Sequence, residues 1–181
     1  MNWSEKLFFK INSLVGKNRW LDAFGRAGAE WVIVAMAGWY VAVGFIVNYG
    51  NVMHMWTPVF WLAGCGAASW VVSGLIALVV KEVRPRLKFP EAKILFWPMY
   101  NTKSFPSDHT MFAFLIFFSA MIFNFPTAWS LLPLAMWVAW GRVYAGLHYP
   151  RDVVGGVVLA GLMSFICYFF VIVWFFGFNY Y

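Results

Sequence analysis

Charge is what this sequence has least of. Asp, Glu, Lys and Arg make up 11% of the 181 residues, and none occurs from Trp31 to Val80, from Thr110 to Gly141 or from Val153 to Tyr181. With 63% hydrophobic and 22% aromatic residues, the chain carries more apolar surface than a soluble domain of this length can hide. Cysteine is scarce as well. Cys65 and Cys167 stand far apart in the sequence inside apolar runs; their spacing matches neither a metal knuckle nor a redox pair, and they read as buried packing thiols. The first thirty residues lack a long apolar core and an A-x-A site, so they do not read as a signal peptide. What is present is therefore an all-α, polytopic membrane helix bundle.

The charges that do exist fall in three windows, 1–30, 81–109 and 142–152. Trp3, Leu7, Phe8, Ile11, Leu14 and Val15 recur at helical spacing, with Lys6, Lys10 and Asn12 on other faces. This predicts an amphipathic helix lying in the interface within the N-terminal segment 1–28. The first charge-free stretch, 50 residues long, is enough for two spans, broken at Asn48–Asn51 and Thr57–Pro58. The second, 32 residues, divides into two short spans at Asn124–Phe125–Pro126, and the last supplies one span from about Asp152 to Phe175. One long tilted helix is the alternative for the second stretch, but it would strand Ser107–His109 across the membrane from His148. Five spans put all three charged windows on one side of a single domain, 1–181, with residues 81–108 forming a loop region at that side. Pro133 is expected to kink the fourth span. The small residues Gly64, Gly66, Ala67, Ala68, Gly155, Gly156, Ala160 and Gly161 are expected to serve close helix packing.

Three polar strings share the common face: Lys81-Glu82-Val83-Arg84-Pro85-Arg86, Phe105-Pro106-Ser107-Asp108-His109-Thr110, and Gly141-Arg142 through His148-Tyr149-Pro150-Arg151-Asp152. A charge at mid-membrane costs roughly 2.5–3.5 kcal/mol on insertion scales, so arginines at this edge call for an offsetting partner, and a phosphoryl group is one. Pro106 ahead of Ser107 and Asp108 marks a helix start, with either residue as cap, and Pro150 suits the first position of the last helix. Both histidines then sit beside helix N-termini, an environment that attracts an anion and keeps an imidazole neutral and nucleophilic. Asp152 is placed to hold the His148 tautomer, and Arg84 and Arg142 offer forked donors to phosphate oxygens. A metal held by His109, His148, Asp108 and Asp152 is the competing reading, and the crowding arginines speak against it. His54 lies in the opposite hairpin and is read as an interfacial residue.

These strings resemble the signature of the type 2 phosphatidic acid phosphatase family: Lys-x6-Arg-Pro, then Pro-Ser-Gly-His, then Ser-Arg-x5-His-x3-Asp. The resemblance covers roughly residues 18–175. It implies that Arg84, Ser107 and Arg142 bind the phosphoryl oxygens and that His148 is the nucleophile, forming a phosphohistidine. It further implies that Asp152 orients His148, that His109 serves the leaving oxygen and then the water, and that no metal or other cofactor takes part. Three positions depart from the pattern. Ala77 stands where the lysine belongs, with Lys81 one turn nearer as its substitute; Gly141 replaces Ser; Asp108 replaces Gly. Pro-Ser-Asp-His-Thr, the absent lysine and the Asn18…Leu21-Asp22 approach resemble the bacterial undecaprenyl-diphosphate phosphatase branch. That branch implies a polyprenyl diphosphate substrate in the bacterial plasma membrane, with a lipid phosphate and the bilayer as partners and no nucleic acid. Phosphatidate or phosphatidylglycerophosphate hydrolysis, or lipid phosphotransfer, is the enzymatic alternative; a small anion transporter or a scaffold is the non-enzymatic one. All 13 Lys and Arg lie on the site's side, which the positive-inside rule makes cytoplasmic, whereas the resemblance puts the site on the outer face.

Overall fold

The computed structural model describes residues 1–50, 52–97 and 103–177, and every regular element among them is helical. In chain order these are α1 (Trp3–Asn12), α2 (Arg19–Glu30), α3 (Val32–Val47), α4 (Val52–Val80), α5 (Pro85–Lys88), α6 (Asp108–Ile122), a 3₁₀ turn (Ala128–Ser130), α7 (Leu131–Tyr144) and α8 (Pro150–Gly177). Two stretches are long and apolar enough to cross a bilayer, His54–Lys88 and Pro150–Val171; α2 and α3, bent by 49° where they meet, make a third if taken together. The helices α6 and α7 have 15 and 14 residues. They rise only about 22 and 21 Å, against a hydrocarbon core of ~30 Å. Length alone thus qualifies two or three of the five expected spans.

The short α6 lies at the centre, packed by α3, α4, α7 and α8, with Met111, Ala113, Leu115, Ile116 and Phe117 buried along it. By contrast α4 and α8 expose long apolar faces, Trp70, Leu78, Phe165 and Phe169 among them, as helices against lipid do. The Asn124–Phe125–Pro126 turn joins α6 to α7 as expected, with Asn124 and Thr127 both at positive φ and Phe125 N–H donating to the Ala120 carbonyl at 2.9 Å.

Three expectations are corrected. Pro58 lies inside α4 rather than in the hairpin before it. Pro133 is the third residue of α7, where a backbone N–H has no intrahelical partner to lose, so it breaks no bond and gives no cause for a kink. Asn12 is buried at the end of α1 instead of facing away from the bundle. Its amide donates to the carbonyls of Lys93 (2.8 Å) and Tyr144 (3.1 Å) and its oxygen accepts from Lys93 N–H at 2.9 Å. The interfacial helix is thereby tied into the bundle. Glu5 reinforces the tie through an ion pair with Lys88 at 2.7 Å, and the Lys88 hydrogen bond holds its carboxyl below the ordinary range.

The crossing of α2 and α7 is unusually close. A Cβ on Gly141 would stand 2.6 Å from the Ala29 nitrogen and 2.8 Å from the Gly28 carbonyl carbon. Gly25 in turn faces the ring of Tyr144, whose hydroxyl donates to Asp22 at 2.7 Å. Glycine at 141, where the signature has serine, is what lets the two backbones touch.

Candidate active site

The first and third strings converge on Lys103 to Ser107, the start of the second string and the two residues before it, Lys103 and Ser104, which carry no signature. From the first string, Arg84 Nε donates to the Lys103 carbonyl at 2.9 Å, and the Glu82 carbonyl accepts from Ser104 N–H at 3.1 Å. From the third, His148 Nδ1 meets the Ser104 carbonyl at 2.8 Å, Asp152 Oδ2 accepts from Ser104 Oγ at 2.5 Å, and the Asp152 carbonyl accepts from Ser107 N–H at 3.0 Å. Glu82 and Arg151 close the ring as an ion pair. Gly155 and Gly156 permit this approach, since a Cβ there would fall 2.4 Å from the Phe105 ring and 2.7 Å from the Ser107 carbonyl oxygen. In α8 the small residues therefore serve close packing, though against the segment as well as against α6.

His148 is buried just ahead of Pro150, the expected first residue of α8. The turn before it needs glycine: Gly146 has φ +80°, and a Cβ there would meet the Lys93 carbonyl oxygen at 2.0 Å. That turn returns the N–H groups of Leu147 and His148 to the Arg142 carbonyl at 3.1 and 3.3 Å, which fixes the histidine relative to the arginine. A carbonyl only accepts, so in the neutral ring Nδ1 carries the proton and Nε2 keeps its lone pair. Asp152 stands 3.7 Å from Nδ1, too far for a hydrogen bond. Its influence is electrostatic, and its Oδ2 is itself held by Ser104 and by Tyr149 N–H at 2.8 Å. Burial pulls the imidazole down from its usual 6.5 to about 4; the charges of Arg142 and Arg84 act in the same direction and Asp152 opposes them.

Both expected phosphate ligands have donors to spare. Arg142, only 4% exposed, gives Nη1 to the Ala29 carbonyl of α2 at 3.0 Å, while its buried Nε has no partner among the described residues. Arg84 likewise leaves a buried Nη1 unpaired. An unmet buried donor costs about 1–3 kcal/mol, more when charged, a cost that an oxyanion bound between the two arginines would relieve. Ser107 occupies the N-cap position of α6, yet its side chain makes no capping bond and instead accepts from Thr110 Oγ1 at 3.1 Å. His109, the second residue of α6, is half-buried and lies within the electrostatic reach of Arg142, His148, Asp108 and Arg84.

Lys81 is not brought to this cluster. It ends α4 at φ 48°, is exposed, and makes no side-chain hydrogen bond or ion pair among the described residues. The lysine that does arrive is Lys103, whose Nζ binds Asp108 Oδ1 at 2.8 Å and Ser73 Oγ at 2.6 Å; Ser73 also donates to Asp108 at 2.6 Å. The aspartate that replaces the signature glycine is thus matched by a lysine five residues before it. Ser104, Lys103, Ser73 and the Ala29 carbonyl were missed in the sequence. For Lys103 and Ser104 the available signal was adjacency to Phe-Pro-Ser within a charged window; for Ser73 and Ala29 there was none.

A helix bundle with an apolar exterior, gathering two histidines, two arginines with unpaired donors and a buried aspartate at one end, has the make-up of a membrane lipid phosphatase. Residues 58–176 match the PAP2 superfamily model, and the chain belongs to that superfamily. It is 30% identical over 161 residues to the undecaprenyl-diphosphatase BcrC of Bacillus subtilis (strain 168), a match covering 89% of this chain and 80% of the relative. Its fold is similar to that of LpxE from Aquifex aeolicus, with a TM-score of 0.69 at 21% identity over 92% of this chain and 95% of that one. It is also similar to a PAP2-type phosphatidylglycerolphosphate phosphatase from Bacillus subtilis, with a TM-score of 0.54 at 20% identity, covering 92% and 93% of the two chains.

Proposed function

We propose that this protein hydrolyses a polyprenyl diphosphate to the monophosphate and inorganic phosphate through a phosphohistidine at His148. The observation that carries the chemistry is the pair of buried, unpaired guanidinium donors beside a histidine whose Nε2 lone pair is free. Arg84, Arg142 and Ser107 bind the oxygens of the terminal phosphoryl group, and their charge stabilises the transition state without a metal. Nε2 attacks phosphorus, the bond to the bridging oxygen breaks, and His109 gives that oxygen a proton. The imidazolium so formed is stabilised by the Ser104 carbonyl and by Asp152. Water, surrendering a proton to His109, then attacks the phosphorus–nitrogen bond, which frees phosphate and restores His148. The chain is a single phosphatase domain, multi-pass in the plasma membrane, with its site on the outer face.

Support for the polyprenyl substrate comes from the BcrC relative, which is named for undecaprenyl diphosphate. The fold shared with a phosphatidylglycerolphosphate phosphatase favours a second reading, hydrolysis of a glycerolipid phosphate. Purified protein in detergent, without added metal, decides between them. Undecaprenyl diphosphate should be hydrolysed with a kcat/KM at least about tenfold above phosphatidate or phosphatidylglycerophosphate, a gap of about 1.4 kcal/mol in transition-state binding. The reverse order would replace the first reading with the second.

The pH profile supplies a separate check. A nucleophile is lost when protonated, so activity falls as pH falls through the His148 pKa. With burial holding that value near 4, the acid limb of kcat/KM should lie there and not near 6.5, once the ionisation of the substrate phosphate is allowed for. An enzyme-derived limb at the ordinary histidine value would show that His148 is solvated or is not the nucleophile.

A further inference from the structure

Of the small residues of α4, Gly66 alone packs tightly as expected: it is buried, and a Cβ there would stand 3.2 Å from the ring of Phe112, while Gly64, Ala67 and Ala68 are exposed and nothing lies within 4 Å of a Cβ built on Gly64. Beside them α3, α4 and α6 leave a groove of about 500 Å³ with apolar walls, lined by Ala37, Gly66, Ala67, Trp70, Phe112 and Ile116 among others. That volume lies within the roughly 300–1,000 Å³ of small-molecule sites. Ala63, Ala67 and Trp70 are exposed on its rim, so it opens sideways toward lipid.

We propose that this groove holds the isoprenoid chain of the lipid whose diphosphate is processed at His148, an inference that rests on the function proposed above. Its position argues for this occupant. On α6, Asp108, Phe112 and Ile116 follow one another at intervals of four residues, so one face runs from the polar cluster into the groove over about 12 Å. On α4, Ser73, Trp70, Gly66 and Leu62 trace the matching descent over about 16 Å. The two faces are joined at the top by the Ser73–Asp108 hydrogen bond at 2.6 Å, with Lys103 Nζ bound to both. The groove therefore starts about one helical turn from the Lys103–Asp108 ion pair and ends among hydrocarbon, the sequence of environments that a lipid diphosphate presents from head to tail. One groove suits one chain, which fits a prenyl lipid better than a two-chain glycerolipid. The lateral opening lets the chain enter from the bilayer without leaving it.

Filling the groove tests the idea. Ala67→Leu and, separately, Ala63→Leu put a large side chain on exposed rim positions, where folding has little to lose. For each, kcat/KM is measured on a long polyprenyl diphosphate and on a short, water-soluble prenyl diphosphate, and the ratio of the two is compared with wild type. The ratio should fall about tenfold or more in at least one variant, because only the long chain needs the groove. A ratio within twofold of wild type in both variants, with both substrates still turned over, would overturn the proposal and leave the groove to bulk lipid. If wild type hydrolyses neither substrate, the phosphatase reading itself has failed and this inference falls with it.

Discussion

His148→Ala is expected to leave a folded protein that releases no phosphate above background, a loss on the order of 10⁴–10⁶-fold in kcat, as removal of a nucleophile produces elsewhere. Among the described residues its side chain makes one hydrogen bond, from Nδ1 to the Ser104 carbonyl, which ties the turn before α8 to the 103–107 segment and leaves Nε2 free, and burial pulls its pKa down. The variant loses that bond and gains a small cavity, so thermal unfolding in detergent should shift modestly while turnover disappears. A second readout isolates the chemistry. Rapid quench of wild type with a labelled substrate should trap an acid-labile phosphoenzyme, and the variant should show none. Turnover within tenfold of wild type would sink the phosphohistidine mechanism.

Arg142→Ala should lower kcat on the order of 100–1,000-fold, the range seen when one donor to a developing oxyanion is removed. Arg142→Lys should recover little of it. Lysine keeps the charge, but a single ammonium cannot at once hold the Ala29 carbonyl on α2, as Nη1 does, and offer the second donor that Nε leaves unpaired. The two substitutions also separate binding from chemistry. If the guanidinium acts in the transition state, kcat falls and KM moves less; if it only captures the lipid phosphate, KM rises with kcat preserved. A kcat and a KM both within a fewfold of wild type in both variants would mean that the unpaired Nε faces no phosphoryl group.

Much of this was legible from where the charges are not. Runs without Asp, Glu, Lys or Arg mark the apolar helices, and Pro150, Ser107 and the Asn124–Pro126 turn mark their ends through local chemistry that a sequence displays. His148 and Asp152 could be paired because four residues is one helical turn. The partner that in fact fixes the imidazole is a backbone carbonyl 44 positions away, and every residue has a carbonyl, so no spacing could single out Ser104. The same holds for the Ala29 carbonyl against Arg142. Lys81 lies near Arg84 in the chain, but the left-handed turn after α4 leaves it exposed, while Lys103 comes from a stretch with no periodicity to read. The prolines were misplaced for a related reason: their effect depends on how many residues into a helix they fall, and helix starts are the least visible boundaries. The stripe of small residues in α4 reads the same whether a neighbouring helix or a hydrocarbon chain fills the space beside it.

The convergence of the first and third strings on Lys103–Ser107 also constrains how the protein is born. Glu82 and Arg84 precede that segment by about 20 positions, His148 and Asp152 follow it by more than 40, and Arg142 leans on Ala29 across 113. Loops of such length close late, after local helices have formed. A nascent chain that has delivered its first seven helices to the membrane still lacks the start of α8, and with it the lock on Ser107 and the carboxylate beside the nucleophile. On the function proposed here, the start of the last helix is thus what completes the site.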